Sequence, residues 1–126
     1  MPRCVLAVKA QLPYPVNSIA LKMALKLLTN IEVVNHSILQ VKRERERLLK
    51  KLNEIDGVTA FPSQTNFILF YTLKDADEVF QGLLNQGLLV RNLGKVSVYD
   101  RCLRVTIGLP EMNNQLLDAL RHVCRD

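Results

Sequence analysis

The chain has 126 residues and a mass of 14.3 kDa, enough for one domain, and its 48% hydrophobic and 23% charged residues exclude disorder, collagen-like repeats and a disulfide-dense scaffold. Seventeen Lys and Arg against twelve Asp and Glu leave a net charge of +5 and a pI near 9.3, which points to acidic partners or substrates, or else to a solvated basic face. No run approaches the ~18 apolar residues of a membrane span, and no charged start precedes an apolar core and a cleavage site, so a soluble, cytoplasmic protein without a membrane partner is expected.

Pro13-Tyr14-Pro15 predicts an extended lead-in, since each proline fixes its own φ and pushes the residue before it out of the helical region. Val16, Ile19, Ala20, Met23, Ala24, Leu27, Leu28 and Ile31 then recur at the three- and four-residue steps of an amphipathic helix, and Val34, Ile38, Val41, Leu48, Leu52 and Ile55 resume the pattern. Thr29-Asn30 and Asn35-His36-Ser37 are the places for a break or bend, so the segment reads as one long bent helix or as two. Asp56-Gly57 supplies the turn that ends it.

From Val58 the period shifts towards two: Val58–Phe61 and Phe67–Tyr71 read as strands separated by Pro62-Ser63-Gln64. Asp75 with Glu78 resembles a capping box ahead of a helix that carries Val79, Phe80, Leu83 and Leu84 on one face and closes at Gly87. Leu88–Arg91 is a third strand candidate, 92–101 reads as a loop, and Cys102–Ile107 alternates as a further strand. Pro110 suits the first turn of a last helix, with Leu116, Leu117, Leu120, Val123 and Cys124 as its apolar stripe.

This order predicts an α+β two-layer sandwich: a small mixed sheet of split βαβ type with helices packed on one face, preceded by a long or bent helix, all within a single domain over 1–126. Cys102–Ile107 is expected to lie antiparallel between two parallel strands.

In Leu103-Arg104-Val105-Thr106-Ile107 the pleat sends Leu103, Val105 and Ile107 to one face and Arg104 and Thr106 to the other. Arg104 thus points away from the core, and Leu88-Leu89-Val90-Arg91 likewise ends in an arginine. Two guanidinium groups near one end of one sheet suit two anionic groups on a ligand, each fork binding a carboxylate or phosphate bidentately. For either arginine alone the competing reading is a surface salt bridge.

Other clusters carry less chemistry. The run Lys42-Arg43-Glu44-Arg45-Glu46-Arg47 with Lys50-Lys51 mixes repulsive and attractive pairs and reads as a solvated helix face rather than a nucleic-acid surface. His36 and His122 lack a Ser or Cys motif that would make either a catalytic base, and both read as structural. Cys4, Cys102 and Cys124 are odd in number and widely spread, so neither a metal site nor a disulfide framework is expected. No Gly-rich phosphate loop and no close carboxylate pair is present.

Read in order, several stretches resemble one family: Val8-Lys9 leading to Pro13-Tyr14-Pro15-Val16-Asn17, then Arg43-Glu44-Arg45-Glu46-Arg47-Leu48, Pro62-Ser63-Gln64-Thr65-Asn66-Phe67, Gly87-Leu88-Leu89-Val90-Arg91 and Leu103-Arg104-Val105-Thr106-Ile107-Gly108. They are similar to the carboxy-terminal third of the histidinol-phosphate aminotransferases. The resemblance implies the small domain of a pyridoxal-phosphate enzyme of the aspartate aminotransferase fold, a homodimer that moves an amino group between glutamate and imidazole-acetol phosphate in histidine biosynthesis.

It further implies substrate-binding roles: Arg104 for the α-carboxylate of the glutamate half-reaction, Arg91 for the phosphate of histidinol phosphate. The family's cofactor lysine lies in a Ser-x-x-Lys segment with a following Gly-Leu-Arg-x-Gly stretch, a setting that none of Lys9, Lys22, Lys26, Lys42, Lys50, Lys51, Lys74 or Lys95 has. No catalytic or cofactor-binding residue is therefore expected in this chain, which would supply substrate anchors to a large cofactor domain and be inactive alone. Related threonine-phosphate decarboxylases of cobalamin synthesis share the fold, the cofactor and a phosphorylated ligand. A basic RNA-binding module is the alternative of another class, disfavoured because the strands lack paired exposed aromatics.

Overall fold

The computed structural model describes residues 16–125; the extended stretch expected at Pro13-Tyr14-Pro15, the Val8-Lys9 motif and Cys4 lie outside the described residues. Helix α1 (Ser18–Leu28) opens on Asn17, whose side-chain oxygen accepts from the Ala20 N–H at 2.8 Å. It stops at Thr29-Asn30, where the Thr29 hydroxyl and the Asn30 amide both donate to the Lys26 carbonyl. Helix α2 (Ile31–Leu52) then runs unbroken through Asn35-His36-Ser37. Of the two expected break points only the first is used; the Ser37 hydroxyl instead donates back to the Val33 carbonyl at 3.0 Å, which keeps the helical turn.

The described residues up to Ser37 and those from Ile38 to Arg125 form two compact units. In the first, no residue of α1 is buried, and Ile19, Met23 and Leu28 are exposed.

In the second unit, strands β1 (Val58–Ala60), β2 (Phe67–Thr72), β3 (Arg91–Val96) and β4 (Tyr99–Thr106) form one sheet in the order β1-β2-β4-β3. Helix α3 (Ala76–Asn85) crosses from β2 towards β3, and α4 (Pro110–Arg125) closes the chain. β4 lies between β2 and β3 and pairs antiparallel with both, so the split βαβ arrangement is present. The mixed sheet needs a correction: β2 and β3 run parallel but are not neighbours, and every adjacent pair is antiparallel.

The pleat sorts the two faces. Register pairs Val58↔Thr72, Ala60↔Phe70↔Leu103 and Ile68↔Val105 put one set of side chains under the helices, where they join Leu48, Leu52, Val79, Leu83, Leu117 and Leu120 in the core. Phe70, Ile68 and Leu103 are fully buried. Thr72 is buried too, its hydroxyl satisfied by the Lys74 carbonyl at 2.9 Å. The Asp75 carboxylate caps α3 by accepting from the Asp77 and Glu78 N–H groups, and Gly87, at φ +77°, follows that helix.

The third strand is displaced from its expected place. Leu88–Val90 precede β3, which begins at Arg91, and the expected loop over 92–101 is a hairpin of β3 with the start of β4. Its legibility is lost to a bulge: register shifts on both sides of Gly94, at φ +59°, whose N–H is held by the Asn92 side chain at 2.9 Å. A bulged strand does not alternate.

Candidate functional site

Arg104 stands in the middle of β4 and Arg91 at the first position of β3, and the two are direct cross-strand partners. Leu69 of β2 opposes Arg104 from the other side, so Leu69, Arg104 and Arg91 form one row on the face turned away from the helices. The outward direction expected of Arg104 and Thr106 is what the register gives. The Arg104 guanidinium carbon lies 4.8 Å from the centroid of the Phe67 ring, a cation–π contact that fixes a half-buried side chain.

Both arginines line an open groove of about 500 Å³, together with Phe80, Leu89, Val90, Asn92 and Thr106. Among the described residues neither guanidinium has a carboxylate within 4 Å; the Arg47–Glu44, Lys51–Glu54, Lys95–Asp100 and Arg121–Asp118 pairs lie elsewhere. Among the described residues, the surface salt bridge that competes with the ligand reading is absent at both positions. Like charges directly opposite on a ladder are unfavourable. An anion seated between them would remove that repulsion and satisfy donors that the protein leaves open.

The basic run on α2 is exposed at Lys42, Arg43, Glu46 and Lys50, as expected of a solvated face, and departs from that reading at Glu44. Glu44 is only 8% exposed, and Arg47 grips it bidentately, Nε to Oε1 at 2.9 Å and Nη2 to Oε2 at 2.7 Å. Asn113 of α4, also buried, donates to the same carboxylate at 2.7 Å. The Arg47 hydrogen bonds hold Glu44 below the usual carboxylate range, against the upward push of burial and with help from Asn113. The signal was available: Glu44, Leu48 and Leu52 are four residues apart and share the buried stripe of α2.

The sheet and the residue after β1 bring together aromatics that are far apart in the chain. Phe61 and Tyr99 meet edge to face at 4.9 Å, and Tyr71 lies 5.5 Å from Tyr99. Contrary to the expectation that weighs against RNA binding, aromatics are paired on the outer face, and they engage one another rather than stand apart. Cys102 and Cys124 are free, with thiols pushed up by burial, so neither is an activated nucleophile. His36 on α2 and His122 on α4 are both exposed. No helix of the described residues is long and apolar enough to cross a membrane.

Residues 4–120 match the family of class I and II aminotransferases. The chain belongs to that family. It is 43% identical over 111 residues to the histidinol-phosphate aminotransferase of a Thermoanaerobacter strain, an alignment that covers 88% of this chain and 31% of that enzyme. The chain thus spans about a third of the length of the curated relatives it matches.

Among solved structures, histidinol-phosphate aminotransferase from Clostridium acetobutylicum superposes with a TM-score of 0.79 at 25% identity, over 93% of this chain and 36% of that one. L-threonine-O-3-phosphate decarboxylase from Porphyromonas gingivalis gives 0.74 at 25% identity, over 88% and 35%. The α+β architecture is that of a class I and II aminotransferase small domain, and this family is pyridoxal-phosphate dependent.

Proposed function

We propose that this chain is the substrate-anchoring, carboxy-terminal small domain of a histidinol-phosphate aminotransferase, an enzyme that transfers an amino group between glutamate and imidazole-acetol phosphate. The observation that carries the reading is the Arg91–Arg104 couple across the β3–β4 ladder, without a carboxylate partner among the described residues and facing an open groove. In it Arg104, steadied by the Phe67 ring, takes the α-carboxylate of the amino donor, and Arg91, at the edge of the groove, takes the phosphate. Each interaction orients the ligand without entering the chemistry.

Pyridoxal phosphate, when bound in such enzymes, acts as an electron sink for bonds at the amino-bearing carbon. The groove does not fit that group, since it is lined by arginine, asparagine, threonine and apolar side chains, without a lysine. Lys74 donates to the Val123 carbonyl, Lys51 to Glu54, and Lys95 pairs with Asp100. On this reading the attachment lysine belongs to a large domain that is the chain's partner, the intact enzyme is a homodimer, and the chain by itself does not transaminate.

Curated relatives at 35–43% identity carry the name histidinol-phosphate aminotransferase, which supports this substrate over threonine phosphate; the solved aminotransferase and decarboxylase structures, both at 25% identity, do not separate the two. Incubation of the purified chain with pyridoxal phosphate, glutamate and imidazole-acetol phosphate should give no product and no new cofactor absorbance band. In parallel, histidinol phosphate and glutamate should shift the Arg91 and Arg104 side-chain signals in a ¹H–¹⁵N spectrum. Turnover by the chain alone would overturn its inactivity; silence of both arginines towards both ligands would overturn the anchoring role. Larger shifts with threonine phosphate would move the assignment to the decarboxylase.

A further inference from the structure

Glu44 and Asn113 lie behind the strand that carries Arg104, and their hydrogen bonds run to its end. The Asn113 amide uses both its sides on one residue: Oδ1 accepts from the Gly108 N–H and Nδ2 donates to the Gly108 carbonyl, each at 3.0 Å. A side chain thereby takes the place of a strand partner for Gly108, two residues beyond the end of β4. On the other edge, the Ile107 N–H donates to the Asn66 carbonyl at 2.9 Å. The exit of β4 is held from both sides.

Gly108 and a charge together set the orientation of that amide. The second Nδ2 hydrogen goes to Glu44 Oε2, at 2.7 Å, in a buried contact. Reversed, the amide would turn its carbonyl oxygen on both the Glu44 carboxylate and the Gly108 carbonyl and its NH₂ on the Gly108 N–H, so Glu44 and Gly108 both oppose the reversal. Arg47 keeps Glu44 ionised and is itself tied to Asn114 Oδ1 at 2.9 Å, which anchors the cluster to α4.

This cluster adjoins the arginine groove. Gly108 and Asn113 line a second hollow of about 300 Å³ that shares Leu89, Val90 and Thr106 with it. We propose that Glu44, acting through Asn113, is a positioning residue for the anion groove: its carboxylate fixes the Asn113 amide, and that amide fixes Gly108 and the end of β4 from which Thr106 and Arg104 face the groove. The inference rests on the reading of that groove as an anion site.

The test is a cycle of Glu44→Gln, Asn113→Ala and the double variant in the purified chain, followed by ¹H–¹⁵N spectra without ligand and then with inorganic phosphate. Glu44→Gln should move the Gly108 amide and the Arg104 Nε–H signals and weaken phosphate about two- to tenfold, the size expected of one weakened hydrogen bond. Because Glu44 acts through Asn113, the double variant should change neither the Arg104 signal nor the phosphate affinity beyond what Asn113→Ala does alone, and a further change would overturn the relay. Should Asn113→Ala fail to fold, Glu44→Gln still decides through the Gly108 and Arg104 signals and the phosphate affinity. A lower melting temperature with an unmoved Arg104 signal and unchanged phosphate affinity would leave the cluster as structural glue and overturn the proposal. If the wild-type chain ignores phosphate, the anion reading itself falls, and an unmoved ligand-free Arg104 signal in Glu44→Gln then overturns the positioning role as well.

Discussion

Arg91 and Arg104 face one another across the β3–β4 ladder, with the Phe67 ring 4.8 Å from the Arg104 guanidinium carbon. The relationship gives the two arginines different settings. Arg104 is half-buried and braced, whereas Arg91 is exposed at the start of its strand.

Replacing Arg91 with alanine should therefore weaken a phosphorylated ligand more than glutamate, and Arg104→Ala should do the reverse. A charge-assisted pair is worth roughly 1.5–3 kcal/mol, about ten- to a hundredfold in affinity, and solvent screening at Arg91 puts its effect at the lower end. Isothermal titration of each variant with both ligands measures this; equal losses for both ligands in both variants would refute the division of roles.

Acid should loosen the α2–α4 contact. Glu44 is held below its unfolded-state pKa, so its contribution to stability is present above that unfolded value and is lost as pH falls towards the lowered folded one. Urea midpoints measured stepwise from neutral pH into the acid range should fall across that window, and Glu44→Gln should remove this part of the fall while lowering the midpoint at neutral pH.

Gly82 tests the packing of α3 on α4. A Cβ there would meet the Val123 methyls at 2.8 and 2.9 Å. Gly82→Ala gains about 1 kcal/mol of helix propensity but must push α4 away, an overpacking cost of about 1–3 kcal/mol. The net effect should be a lower melting temperature. The double variant Gly82→Ala/Val123→Ala should recover part of it, and no drop in the single variant would contradict the close approach.

Asp75 tests the cap of α3. Its carboxylate accepts from Asp77 N–H at 2.9 Å and Glu78 N–H at 3.3 Å. Asp75→Ala should cost about 0.5–2 kcal/mol, and Asp75→Ser should retain most of the stability. Equal urea midpoints for wild type and Asp75→Ala would mean that the cap contributes nothing.

Where a residue pattern is local, the chain could be read directly. The stripe of α4 from Leu116 to Val123, the Asp75 cap, the stop at Gly87 and the alternation Leu103-Arg104-Val105 each depend on neighbours within one or two turns, and each appears as expected. The β3 start was displaced because Gly94 interrupts the period of two, so the burial signal on which strand reading depends vanishes there. Glu44 is hidden in the sequence for another reason: it lies within a run of charges, although its spacing puts it on the same face as Leu48 and Leu52.

By itself the sequence determined the α+β class, the direction of Arg104 away from the core, and a family resemblance carried by short motifs in order, because periodicity and motif identity are properties of contiguous residues. The tertiary structure alone decided that Arg91 stands opposite Arg104, that Phe67 braces one of them, and that a buried carboxylate of α2 is joined through Asn113 to the end of β4. Those contacts join residues as many as 69 positions apart in the chain, brought together by strand register and helix packing, which only the collapsed chain fixes.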